Sequence, residues 1–84
     1  MNRRQLVAAV ADRLGDPQLA DAAVTALTET IAATVAAGEP VVLRGFGRWR
    51  RRRRPQTRTV PATYVPRFDA GKRFRDAVGG RSRV

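Results

Sequence analysis

Arg44-Gly-Phe-Gly-Arg-Trp-Arg-Arg-Arg-Arg-Arg54 is the stretch of this chain best equipped to do chemistry. Seven of its eleven side chains are guanidinium groups, at positions 44, 48 and 50 through 54. A guanidinium stays charged at any physiological pH and presents a planar fork of donors that fits phosphate oxygens. Phe46 and Trp49 lie inside the block. A solvated charge run has no use for them, whereas a folded strand that carries a polyanion-binding face does. Further along, Pro55 and Gln56 are followed by Arg58, Arg67, Lys72 and Arg73, which extend the cationic series. The candidate binding residues are therefore Arg44, Arg48, Arg50, Arg51, Arg52, Arg53, Arg54, Pro55, Gln56, Arg58, Arg67, Lys72 and Arg73.

The charge is lopsided. Residues 1–39 hold three basic and five acidic side chains, a net of −2, and residues 40–84 hold fourteen basic and two acidic, a net of +12. A near-neutral half joined to a polycation points to a polyanionic partner: DNA, RNA or, less favoured, an anionic membrane surface. Catalysis finds little support. There is no histidine and no cysteine, which excludes disulfides, thiolate chemistry and the usual zinc sites. The seven carboxylates are scattered, and Asp69 and Asp76 stand seven residues apart. Gly45 and Gly47 read as turn glycines, since no P-loop spacing follows them. No enzyme, cofactor or metal is expected.

The elements that must hold the arginines follow from periodicity. Asn2 caps a helix in which Leu6, Val10 and Leu14 recur every four residues, ending near Gly15. Asp16-Pro17 restarts the chain as a second helix, with an N-cap followed by proline at the first helical position. It runs to about Ala37, with Gly38 as its stop. Its stripe of Ala20, Ala23, Val24, Leu27, Ile31 and Val35 is widened by further alanines. A helix apolar over so much of its circumference needs cover from more than one side. In 84 residues, many of the apolar ones alanine, the chain can build only a small core of its own, so a second subunit is the expected cover. No continuous apolar run approaches the ~18 residues of a membrane span, and the N-terminus lacks the apolar segment of a signal peptide, so a cytoplasmic protein is expected.

After the Glu39-Pro40 turn, Val41 to Arg44 reads as a strand, Gly45-Phe46-Gly47 as a tight turn whose two glycines are free to take positive φ, and Arg48-Trp49-Arg50 as the antiparallel partner. Alternation puts Arg48, Arg50, Arg52 and Arg54 on one face, and Trp49, Arg51 and Arg53 on the other. Arginines on both faces mean that by about residue 51 the strand leaves the body as an arm. Pro55 to Arg58 is its tip. Thr59, Val60, Ala62 and Tyr64 return, with Pro61 marking an edge or bulged strand. Val65 to Phe68 ends that strand, and Asp69 caps a helix over 70–78. Gly79 and Gly80 stop it, and 79–84 is a basic tail.

Taken in order, these pieces resemble the HU and integration host factor family of bacterial architectural DNA-binding proteins. The carriers are Met-Asn-Arg-Arg-Gln-Leu at the start, Gly45-Phe46-Gly47, Pro55-Gln56-Thr57, Val65-Pro66-Arg67-Phe68, and Gly71-Lys72 followed by Asp76-Ala77-Val78. The resemblance covers residues 1–78. It implies an α+β fold with two N-terminal helices (1–38), a three-stranded antiparallel sheet with an arm (41–68) and a short C-terminal helix, all in an intertwined dimer. A homodimer is expected and a heterodimer is possible. It further implies double-stranded DNA as partner, minor-groove contacts of low sequence specificity, a nucleoid location, and a proline near each arm tip acting as a wedge between base pairs. Only 17 residues, 48–64, separate Gly47 from Val65, an arm shorter than the family's usual one. That shifts the expectation toward phosphate clamping and away from wedge-driven bending. An RNA-binding or ribosome-associated basic protein is the alternative. A membrane-surface module would want a basic amphipathic helix, and the cations here lie on a strand and arm.

Overall fold

The computed structural model describes residues 1–80. Its elements are α1 (Arg3–Leu14), α2 (Pro17–Ala36), β1 (Val41–Leu43), β2 (Gly47–Arg54), β3 (Thr63–Ala70) and α3 (Lys72–Gly79). They fall into two compact units, Met1–Ala32 and the chain from Ala33 onward.

Local signals set the helix ends of the first unit. Asn2 accepts from the Gln5 backbone N–H while the Gln5 side chain accepts from the Asn2 N–H, a reciprocal capping box. Gly15 ends α1 in the left-handed region. The Asp16 carboxylate accepts from the backbone N–H groups of Gln18 and Leu19, capping the start of α2. Arg3 reaches from α1 to α2, donating to the Asp21 carboxylate at 2.9 Å and to the Thr25 hydroxyl at 2.6 Å. Ala20 is fully buried in this unit. Leu6, Leu14, Leu19 and Leu27 are not, and Leu27 leaves 53% of its surface open. With only Ala20 and Val35 buried among the described apolar side chains, the chain does not bury its own helical stripe. The helix is more apolar as a whole than its longest uninterrupted run indicates. Despite Asp21 and Glu29, α2 is long and apolar enough to cross a membrane by length and composition alone, with a mean hydropathy of 1.3.

In the second unit β1, β2 and β3 form an antiparallel meander in that order. Trp49 stands opposite Val41 on one side and Phe68 on the other, and the β2–β3 ladder continues out to Arg54 opposite Thr63. On one face of the sheet the rings of Phe46, Trp49, Phe68 and Phe74 gather. Phe46 stacks on Phe74 at 4.7 Å between centroids, and Trp49 lies 4.9 Å from Phe68. Such pairs add to area burial by about 0.5–1.5 kcal/mol each.

Four boundaries differ from the sequence reading. Arg44 lies beyond β1, in the turn. Only Gly45 of the turn glycines takes positive φ, at +84°. Gly47 is required for another reason: a Cβ there would collide with the Phe68 ring. The returning strand starts at Thr63 rather than Thr59, so Pro61 precedes it, and Pro66 is the proline carried by the edge strand. Finally, β3 runs on through Asp69 to Ala70, and α3 begins at Lys72 with Gly71 as its N-cap. Asp69 is therefore a strand residue and not a helix cap. The Gly71 N–H donates to the Phe46 carbonyl and the Phe74 N–H to the Gly45 carbonyl, which fastens the turn to the start of α3. Gly80 closes α3, and the rest of the basic tail placed at 79–84 lies outside the described residues.

Candidate nucleic-acid interface

The ladder register decides which arginines share a face. Directly opposed residues of antiparallel strands project to the same side. Arg48 faces Asp69, Arg50 faces Arg67, Arg52 faces Val65 and Arg54 faces Thr63. One side of the ribbon therefore collects Arg48, Arg50, Arg52 and Arg54 from β2 and Arg67 from β3. Alternate residues of a strand are spaced by about 7 Å, so the four arginines of β2 extend over roughly 20 Å. The row forms a cationic rail whose guanidinium forks suit phosphate oxygens.

One carboxylate interrupts this side. The Arg50 Nε donates to Asp69 at 2.9 Å, and the pair is only partly shielded. The Arg50 hydrogen bond holds the Asp69 carboxyl below the usual carboxylate range against its desolvation, with the charges of Arg50, Arg67 and Arg48 adding to the depression. The sequence reading missed this contact because it assigned Asp69 to the helix cap. The signal was the solitary acid within a basic stretch.

The opposite side is divided. Near the body it carries the aromatic cluster. Further out come Arg51 and Arg53, which face Pro66 and Tyr64. Arg53 is exposed, whereas Arg51 is half-buried. The Arg51 guanidinium lies 3.8 Å from the Tyr64 ring centroid and donates to the Ala36 carbonyl at 3.2 Å. The arm thus begins later than residue 51 on this side.

Beyond Arg54 the ladder stops. Pro55, Gln56 and Arg58 are exposed in the tip, which Thr57 closes: its N–H donates to the Val60 carbonyl, and its hydroxyl accepts from the Val60 N–H. Arg44 is exposed in the β1–β2 turn. Lys72 and Arg73 stand at the start of α3, apart from the ribbon rail in sequence and in element. Lys72 is paired with Asp76 one turn on at 2.6 Å, and the Arg73 stem covers Gly45. Among the described residues, no group of three or more metal-ligating side chains comes together.

A cationic two-stranded ribbon beside an aromatic cluster, in a chain whose helices leave their apolar stripe open, suits a polyanionic ligand on one side and a covering subunit on the other. The chain belongs to the bacterial DNA-binding protein family, whose model matches residues 1–79. It is 43% identical to the DNA-binding protein HU of a Nostoc species, over 93% of this chain and 95% of that one. It is 42% identical to DNA-binding protein HU 2 of Streptomyces coelicolor, over all of this chain but only 43% of the relative, so it spans less than half of that protein's length. Among solved structures, the Anabaena HU–DNA cocrystal structure matches with a TM-score of 0.79 and 39% identity, over 96% of this chain and 100% of that one. HU from Thermotoga maritima, as a V42I mutant, matches with a TM-score of 0.78 and 29% identity, over 93% and 99%.

Proposed function

We propose that this protein is a non-enzymatic architectural DNA-binding protein of the bacterial nucleoid. It acts as a dimer and clamps duplex DNA between two arginine ribbons. The observation that carries the reading is the rail of Arg48, Arg50, Arg52, Arg54 and Arg67 on one side of a projecting ribbon. The family match and the likeness to an HU–DNA complex support it. The exposed stripe of α2 supports the dimer, since a second copy would cover what one chain leaves open.

Affinity then comes mainly from arginine–phosphate contacts and the counterions they release, with little dependence on sequence. The alignment with the Streptomyces relative spans 94 positions against 84 residues here, so that relative carries at least ten residues without a counterpart. If those residues fall in the arm, as the 17-residue span between Gly47 and Val65 suggests, the shorter arm favours a clamp over a deep wedge. If four arginines per chain engage, the slope of log K against log salt is about −7 for the dimer. Titration of a labelled duplex at several salt concentrations measures it, and a slope near zero overturns the reading. The same titration with a structured RNA competitor tests the preference for DNA. Bend angles by FRET for wild type and Pro55→Ala then separate wedge from clamp, since bending lost on substitution means that the proline intercalates.

A further inference from the structure

Arg51 is set apart from its neighbours in the arginine block by three observations. First, its guanidinium stacks 3.8 Å above the centroid of Tyr64, across the ribbon and two pairs further out. A cation over an aromatic face at that distance is attracted by the ring quadrupole. Second, it donates to the Ala36 carbonyl, the last residue of α2. The final carbonyls of a helix lack intrahelical donors and carry the negative end of its dipole, so a cation is favoured there. Third, its seat needs the absence of a side chain at Gly38. A Cβ at that position would stand 3.1 Å from Arg51 Nη2, and Gly38 has φ +96°, where other residues are strained. Helix end, glycine and tyrosine thus form a socket around one guanidinium.

The alternation of β2 also turns Arg51 to the side opposite the rail. We infer that Arg51 is a positioning residue: it braces the base of the ribbon against the last turn of α2 and fixes the ribbon's direction, while the rail arginines take the phosphates. This rests on the DNA-binding reading above and adds a division of labour within the block. It also gives this chain a device suited to a short arm. A ribbon with only a few ladder pairs beyond the aromatic cluster has little contact of its own to hold it, and a brace at its root substitutes for length.

The experiment compares Arg51→Gln, Tyr64→Leu, Tyr64→Phe and Arg52→Gln in the full chain, by 15N relaxation without DNA and by salt-dependent DNA titration. Arg51→Gln and Tyr64→Leu are expected to lower backbone order parameters over residues 52–62 toward the flexible range, below about 0.6. They should weaken DNA binding about three- to tenfold, the cost of ordering a loosened ribbon on binding. Their salt slopes should stay within error of wild type. Tyr64→Phe keeps the ring and should leave order and affinity unchanged. Arg52→Gln, on the rail, should leave the ribbon ordered and make the slope shallower by roughly 1.8 per dimer. A slope for Arg51→Gln reduced as much as that of Arg52→Gln, with order unchanged, makes Arg51 a phosphate ligand and overturns the inference. So does an ordered ribbon in Tyr64→Leu. If wild type itself fails to bind duplex DNA, the functional reading fails, and the relaxation data still decide whether the brace exists.

Discussion

The helical half and the ribbon half of this chain expose opposite chemistry. Residues 1–39 carry a net charge of −2 and present uncovered leucines, whereas residues 40–84 carry +12 and present uncovered arginines. Each surface is unstable or unproductive when left to water, and each calls for a different partner. Apolar area is driven together without direction, and aligned guanidinium groups are drawn to phosphate at long range. Dividing the two along the sequence would, on the proposed reading, let the protein assemble through one and bind through the other with little interference. The separation is sharp enough to be broken one side at a time.

The largest effect should come from the apolar side. Leu27 is half open in a single chain. If a second copy covers it, Leu27→Ala removes a core leucine and costs about 2–5 kcal/mol per subunit. An exposed leucine would cost within about 0.5 kcal/mol. Chemical denaturation followed by far-UV circular dichroism, with sedimentation velocity for the dimer, distinguishes the two. A small loss with the dimer intact would mean that this stripe serves something other than self-association.

On the charged side, Arg52→Gln with Arg54→Gln should leave stability within about 0.5 kcal/mol, because both side chains are exposed. DNA affinity should fall by about two to three decades near physiological salt, and the slope against log salt should become shallower by about 3.6 per dimer. A variant that lost folding and binding together would erase the separation between the halves.

Gly47→Ala probes the junction between the sheet and its aromatic cluster. The added methyl group has nowhere to go but into Phe68. Overpacking of this kind costs about 1–3 kcal/mol. The melting temperature should fall, while the salt slope of the remaining folded protein should stay unchanged. A neutral outcome would mean that the ring swings aside freely.

What could be read from the chain beforehand follows a physical line. Asn2, Gly15, Asp16-Pro17 and Gly38 announce helix ends because caps act on groups two or three residues away. The split of Arg48, Arg50, Arg52 and Arg54 from Trp49, Arg51 and Arg53 was legible because strand alternation is local too. Asp69, Arg51 and Gly47 were misread together, and each depends on a residue far along the chain. Asp69 before Ala-Gly-Lys has the look of an N-cap, and only the pairing with Arg50, nineteen positions earlier, reveals it as a strand acid. Arg51 reads as a departing charge until Gly38 and Tyr64 are brought to it. Gly47 reads as a turn residue until Phe68 closes over it. The return of the arm was placed four residues early because Thr59 and Val60 have strand propensity but close the tip instead.

The smallest effect concerns that lone acid on the arginine rail. Asp69 holds Arg50 and places negative charge beside Arg48 and Arg67, so on the proposed reading it would compete with phosphate for Arg50. Asp69→Asn should therefore tighten DNA binding by about two- to threefold at low salt, and the gain should shrink as salt screens it. The folded protein depresses the Asp69 carboxyl below its unfolded value. The stability that this contributes is present above the unfolded value and is lost as pH falls through the lower folded one, in the acid region below about pH 4. Wild type should show this acid loss in a denaturation series between neutral pH and pH 2, and Asp69→Asn should lack that component. Tighter binding without any change in the acid limb would mean that Asp69 acts only by repelling DNA. Weaker binding would mean that holding Arg50 in place matters more than freeing it.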